Sequence, residues 1–195
     1  MPSRALPCLP LLLVGCASPI EDVDLLGATW CAAERTATVA CALDGDTVDL
    51  GTCGEGERIR MLGVAAPEIA HPGSPAQCYG DEAAAFTQDA LAGREVTVAF
   101  DTECTDIYGR TLAWLRITGD PTDRLAPLIT ALGVEGVADD GSFSVLFNEL
   151  VVRAGYATVY DEAIAEDVRY DAQMQAAEDA AAAAGLGLWS PDACP

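Results

Sequence analysis

Apolar and polar positions alternate along residues 36–41 and 47–50, and the two runs flank Asp44-Gly45, a dipeptide suited to φ > 0 in a tight hairpin turn. A third run over residues 58–64 predicts another strand, which Ala65-Ala66-Pro67 breaks. Residues 81–92 carry helical spacing, closed by Gly93. Alternation returns at 95–100, and one more strand is expected near 111–117. Five short strands with a helix inserted after the third predict an α+β fold, a small barrel capped by about three helices.

Past the last of these strands the pattern weakens. Residues 119–144 are rich in Gly, Pro and Asp and predict a long surface loop or insertion. Helical periodicity resumes at 145–154 and ends at Gly155. The last helix is expected over residues 164–184, stopping at Gly185. Its five consecutive alanines, Ala180 to Ala184, are low in complexity but are the strongest helix formers.

The N-terminus reads as a processing segment over residues 1–15. An apolar run at 6–14 follows Arg4 and is too short to span a bilayer. Leu13-Val14-Gly15-Cys16 resembles the lipobox of bacterial lipoproteins, which implies a lipid on Cys16 and attachment to a membrane; the alternative is an ordinary signal peptide with an incidental Cys16. Ala17 and Ser18 lack the aspartate that holds some lipoproteins at an inner membrane, which points to the outer membrane or cell surface. Residues 16–34 are then a lipidated, acidic tether and 35–195 the folded part. About 180 residues make one domain with a real core, expected as a monomer.

Of eight cysteines, Cys8 falls in the signal and Cys16 at its end, leaving Cys31, Cys41, Cys53, Cys78, Cys104 and Cys194. An even number in an exported chain favours three disulfides among 15 pairings. The hairpin favours Cys41 with Cys53, and the remaining bonds are expected as Cys78–Cys104 and Cys31–Cys194. No Cys or His spacing matches a zinc site.

Charge changes the picture more than any other bulk property. The formal net charge is −21, with 31 acidic residues against ten basic ones, all arginine. Such a surface repels a polyanion and excludes nucleic-acid binding by charge alone. It suits solubility, and a salty medium would shorten the range of the repulsion. Any chemistry on nucleic acid must concentrate the few arginines at one place.

Several motifs stand in register. They are Leu43-Asp44-Gly45-Asp46-Thr47-Val48, Ile59-Arg60-Met61-Leu62-Gly63-Val64, Pro67-Glu68, His71-Pro72 and Tyr79-Gly80-Asp81-Glu82-Ala83, followed by Asp106-Ile107-Tyr108-Gly109-Arg110, residues 148–155 and Leu188-Trp189-Ser190. In order and spacing the chain resembles the staphylococcal nuclease family over residues 36 to 190. The resemblance implies an OB-type five-stranded barrel and a calcium-assisted endonuclease acting on DNA or RNA outside the cytoplasm.

Carried over position by position, Arg60 and Arg110 are implied as phosphate clamps, a task that suits arginine because its planar fork grips two oxygens and stays ionised. Glu68 is implied as general base or water-orienting group. Tyr108 would sit at the nucleotide phosphate, with Tyr160 as a looser candidate for base stacking, and His71 lies beside the site without a catalytic role. The calcium ligands implied are Asp46 and the carbonyl of Ala66, with Asp44 and Glu68 farther out; a second ligating aspartate is replaced by Ala65. Plainer readings exist: Arg60 as a strand arginine paired with a carboxylate, Arg110 as part of a hairpin turn, Glu68 as a solvated loop residue. The alternative function is a catalytically lapsed OB-type module binding nucleic acid or protein at the envelope, or an envelope lipoprotein in which the motifs serve the fold alone.

Overall fold

The structure, a computed structural model, describes residues 30–160 and 169–194. The expected signal peptide, Cys16, residues 17–29 of the tether and the expected start of the last helix at 164 lie outside the described residues. In chain order the elements are β1 (Arg35–Ala42), β2 (Thr47–Leu50), β3 (Glu57–Met61), β4 (Val64–Ala65), α1 (Gly80–Leu91), β5 (Glu95–Ala99), β6 (Thr111–Gly119), α2 (Ala126–Leu132), β7 (Phe143–Leu146), α3 (Phe147–Arg153), β8 (Thr158–Val159) and α4 (Asp171–Ala184).

β1, β2 and β3 form an antiparallel meander, and β5 pairs with both β1 and β6. Closure comes from a parallel pairing, Ile59 opposite Thr111 and Met61 opposite Ala113, which joins β3 to the first half of β6. The result is the expected five-stranded OB-type barrel in an α+β fold. Strand alternation decides what enters it. In β3, Ile59 and Met61 are buried while the intervening Arg60 points to the other face. Val39, Val98 and Leu115 fill the interior with them, while Trp114, next to Leu115, is buried on the opposite face against Tyr170, ring centres 5.0 Å apart.

The asparagine of α3 ties this helix to the barrel. Asn148 is fully buried, donates to the carbonyl of Leu62 at 2.8 Å and accepts from the N–H of Leu115 at 2.8 Å. Glu149, also fully buried, accepts from Arg153 at 3.0 Å and from Gln173 of α4 at 2.6 Å, which joins α3 to α4.

Four expectations are corrected. The segment 119–144 is not a long surface loop: it contains α2 and the start of β7, and Leu125, Ile129, Val134 and Phe143 are buried against the core. A seven-residue helix is too short for its apolar spacing to stand out among turns. Likewise residues 145–154 are not all helix, since β7 extends the sheet beside β6 before α3 begins.

The cysteines pair as Cys31–Cys104, Cys41–Cys53 and Cys78–Cys194, so the hairpin bond holds and the other two exchange partners. β1 pairs with β5, which lays the segment before β1 over the loop after β5; the N–H of Cys31 reaches the carbonyl of Asp101 at 2.9 Å. The C-terminal segment returns instead to α1's approach, where Cys194 bonds to Cys78, and to the turn after α3, where Leu188 donates to the carbonyl of Gly155 at 2.8 Å.

Gly45 has no positive φ, contrary to the turn expected there. Close packing requires glycine, because a Cβ at this position would fall 2.5 Å from that of Ala66 and 2.9 Å from that of Ala83.

Candidate functional site

The turn between β2 and its predecessor brings two carboxylates to one end of the barrel. Asp44 accepts the N–H of Asp46 at 3.0 Å and so shapes the turn. Asp46 is 5% exposed, and its two oxygens have different tasks. Oδ1 accepts from the hydroxyl of Thr47 at 2.9 Å and pairs with Arg60, while Oδ2 accepts the N–H of Ala66 at 2.9 Å. Thr47 lies opposite Arg60 in the β2–β3 register, which is why the ion pair forms across neighbouring strands.

Burial pushes the Arg60 guanidinium below its ordinary value, and the charge of Arg110 adds to this; Asp44, Glu68 and Tyr160 act in the opposite sense. Asp44 is pushed up by burial, against the hydrogen bond from Thr47 and the charges of Arg60 and Arg110. Arg60 also lies 5.7 Å from the ring centre of Tyr160, whose N–H donates to the carbonyl of Gly63 at 3.2 Å.

Arg110 arrives on a loop. Asp106 accepts the N–H groups of Tyr108 and Arg110, both at 2.9 Å, and grips the Arg110 Nε at 2.6 Å. Burial alone would raise the Asp106 carboxyl, but these bonds and the Arg110 charge outweigh it and hold it below its ordinary value. Gly109, at φ 79°, makes the hairpin possible. Ile107 and Tyr108 stand at its tip, 92% and 78% exposed.

Arg60, Tyr160 and Leu62 line one side of a cleft of about 360 Å³, with Glu103, Ile107 and Tyr108 on the other. Arg60, Tyr108 and Tyr160, each singled out from sequence, thus meet in one cavity. Glu68 is exposed beyond it; its N–H donates to Gln77 at 3.0 Å, and its Oε2 lies 3.3 Å from the Nε2 of His71. Asp106, Gln77 and Ile107 were not given roles from sequence. The i to i+4 spacing of Asp106 and Arg110 was the only local signal for the first.

The donor set offers a divalent cation two carboxylates, Asp44 and Asp46, and the Ala66 carbonyl, which accepts no hydrogen bond among the described residues. Ala65 contributes a methyl group and no carboxylate. These groups fit a weakly held hard cation that completes its shell with water or phosphate oxygens. Among the described residues, the only cluster of three His, Cys, Asp or Glu side chains is Cys41, Asp49 and Cys53, whose sulfurs are bonded to each other.

A closed OB-type barrel with Arg60, Asp106, Tyr108 and Tyr160 at one cleft defines the class. Residues 58–191 match the family described as staphylococcal nuclease homologue, and the chain belongs to that family. It is 36% identical over 99 residues to a thermonuclease of Staphylococcus hyicus, an alignment covering 51% of this chain and 56% of the relative. Identity to a thermonuclease of Staphylococcus intermedius is 42% over 73 residues, 37% of this chain and 44% of the other. A probable endonuclease of Botryotinia fuckeliana is 32% identical over 133 residues, 68% of this chain and 42% of that one. The chain thus spans about half the length of the curated thermonucleases it matches.

Proposed function

We propose that this protein is a nuclease that hydrolyses phosphodiester bonds of DNA or RNA with calcium assistance. One observation carries the reading: Arg60, on the barrel wall, and Asp106, which grips the Arg110 Nε at 2.6 Å, line the same cleft. Two such cations at one cleft suit an anion. A phosphate diester gains negative charge in the transition state, and fixed cations stabilise it there more than in the ground state.

Arg60 must leave Asp46, or share it, to grip phosphate oxygens, and Asp106 orients Arg110 for the same task. Glu68, exposed beyond the cleft and steadied through its backbone by Gln77, would take a proton from an attacking water. Asp46, Asp44 and the Ala66 carbonyl would hold calcium. When bound, the ion would neutralise charge growing on the phosphate.

The thermonuclease names of the relatives support this reading, as does the survival of Arg60, Glu68 and Arg110 at their motif positions. Export and anchoring through Cys16 are part of the proposal; three disulfides support an oxidising compartment. The test is degradation of single-stranded DNA and of RNA across a calcium titration, with a chelator control and Arg60→Ala. Calcium-dependent cleavage that disappears in Arg60→Ala is expected. No cleavage by folded, disulfide-intact protein at millimolar calcium would overturn the reading.

A non-catalytic binding module is favoured by Ala65 alone, because the lost carboxylate weakens the cation site. Retained oligonucleotide binding without turnover, and turnover gained in Ala65→Asp, would establish that second reading.

A further inference from the structure

A second cavity, of about 350 Å³, lies beside the first. Between them stands the short ribbon of β4 and β8. Gly63, Val64 and Tyr160 face the first cavity at one end of the ribbon, while Ala65 and Thr158 line the second at the other. Ala66 and Pro67 continue its floor, and Leu188 with the Cys78–Cys194 disulfide makes a further wall.

We infer that this second cavity receives a nucleobase of the strand being cut, on the far side of the scissile phosphate from the Tyr108–Tyr160 cleft. The inference rests on the nuclease reading and deepens it: the substrate is a polynucleotide held by a base on each flank. Three observations carry it. The cavity is continuous with the site, because Ala66 binds Asp46 through its N–H and Gln77, on the cavity wall, binds both the N–H and the carbonyl of Glu68. The lining is mostly apolar, and the volume exceeds that of a planar base. Gln77 also suits a base edge: its Oε1 is used by Glu68, which leaves the amide NH₂ to donate to a base carbonyl.

Charge explains why such a pocket is needed. A chain of net charge −21 without lysine gains little from general attraction to a polyanion, so affinity must come from base contacts. Taking one face of a base out of water against apolar side chains is worth roughly tenfold in binding.

The experiment compares a dinucleoside monophosphate with the two nucleoside methyl diesters that replace either nucleoside by a methyl group. It uses the full chain with disulfides intact, and Leu188→Trp to fill the cavity. For the protein as it stands each methyl diester should fall about tenfold below the dinucleoside in kcat/KM, and Leu188→Trp should bring one of the two ratios close to one while leaving the other. Leu188→Ala, which leaves the cavity open, should keep the preference and so separates filling from misfolding. Both ratios unchanged in a folded Leu188→Trp, or no preference in the unaltered protein, would overturn the subsite. Absence of all turnover would instead strike the nuclease reading. In that case equilibrium binding of a fluorescent phosphorothioate tetranucleotide decides: about tenfold weaker binding by Leu188→Trp supports the pocket, and equal binding overturns it.

Discussion

Arg60 and Arg110 approach the same cleft from regions of different construction. Arg60 is borne on β3, with β2 hydrogen-bonded along one edge and β6 along the other, so its position follows from the barrel itself. Arg110 belongs to the loop between β5 and β6, held by local contacts: Asp106 donates its N–H to the Arg110 carbonyl at 3.0 Å, its carboxylate folds the loop tip, and Cys104 bolts the loop root to Cys31. Asp101, just upstream, accepts from Trp114 at 3.1 Å and from the N–H of Arg169 at 3.0 Å. Arg169 in turn lies 4.9 Å from the ring centre of Trp30 and pairs with Glu34. The strand side is therefore made rigid by the fold, and the loop side by local hydrogen bonds and a covalent staple to the chain's N-terminal approach. In a catalytic cleft both must be held, because a misplacement of about 1 Å costs on the order of 100-fold in rate.

The sharpest way to separate the two regions is to remove each arginine. Arg60→Ala should lower kcat/KM about 1000-fold and also destabilise the protein by about 3 kcal/mol, since Asp46 is left buried without its cation. Arg110→Ala should lower kcat/KM by about 100-fold with little loss of stability, because Asp106 still closes the loop through backbone N–H groups. Nuclease kinetics beside urea melts read both effects, and equal stability losses would break the comparison.

Next in size is the staple. Cys31→Ser with Cys104→Ser should cost about 2–5 kcal/mol and raise KM, whereas the Cys41–Cys53 pair, which closes a hairpin end away from the cleft, should affect stability without moving KM. Ala65→Asp acts on the strand side alone. It should tighten calcium about tenfold by adding an anionic oxygen ligand, read by calorimetry without substrate.

The smallest effect is a pH dependence of stability. The Asp106 carboxyl lies below its unfolded value, so its contribution is fully present above the unfolded pKa of about 3.9 and is lost as pH falls through the lower, folded value. Asp49 behaves alike: burial would raise it, but Arg58 and the N–H of Gly54 prevail. Urea melts between pH 7 and 2 should show the loss, and Asp106→Asn should flatten it in part. An unaltered slope in that variant would remove Asp106 from the account.

What the sequence determined by itself is whatever is written in short-range pattern. Residues 47–50 form the expected strand β2, although all four are buried, and Gly93 and Gly185 stand where α1 and α4 give out. Arg60 between two apolar residues faces away from the core as strand alternation requires, and the favoured hairpin bond Cys41–Cys53 is present. Tertiary structure decided the partners. It chose Asp46 for Arg60, Gln77 for Glu68, Cys104 for Cys31, and the core for Ile129 within a stretch that reads as loop. The physical reason is distance along the chain: periodicity fixes which face a side chain takes, but the group opposite that face comes from segments brought near only when the barrel closes. The second cavity belongs to this class, since its walls come from residues 65–67, 77–78, 158, 188 and 194.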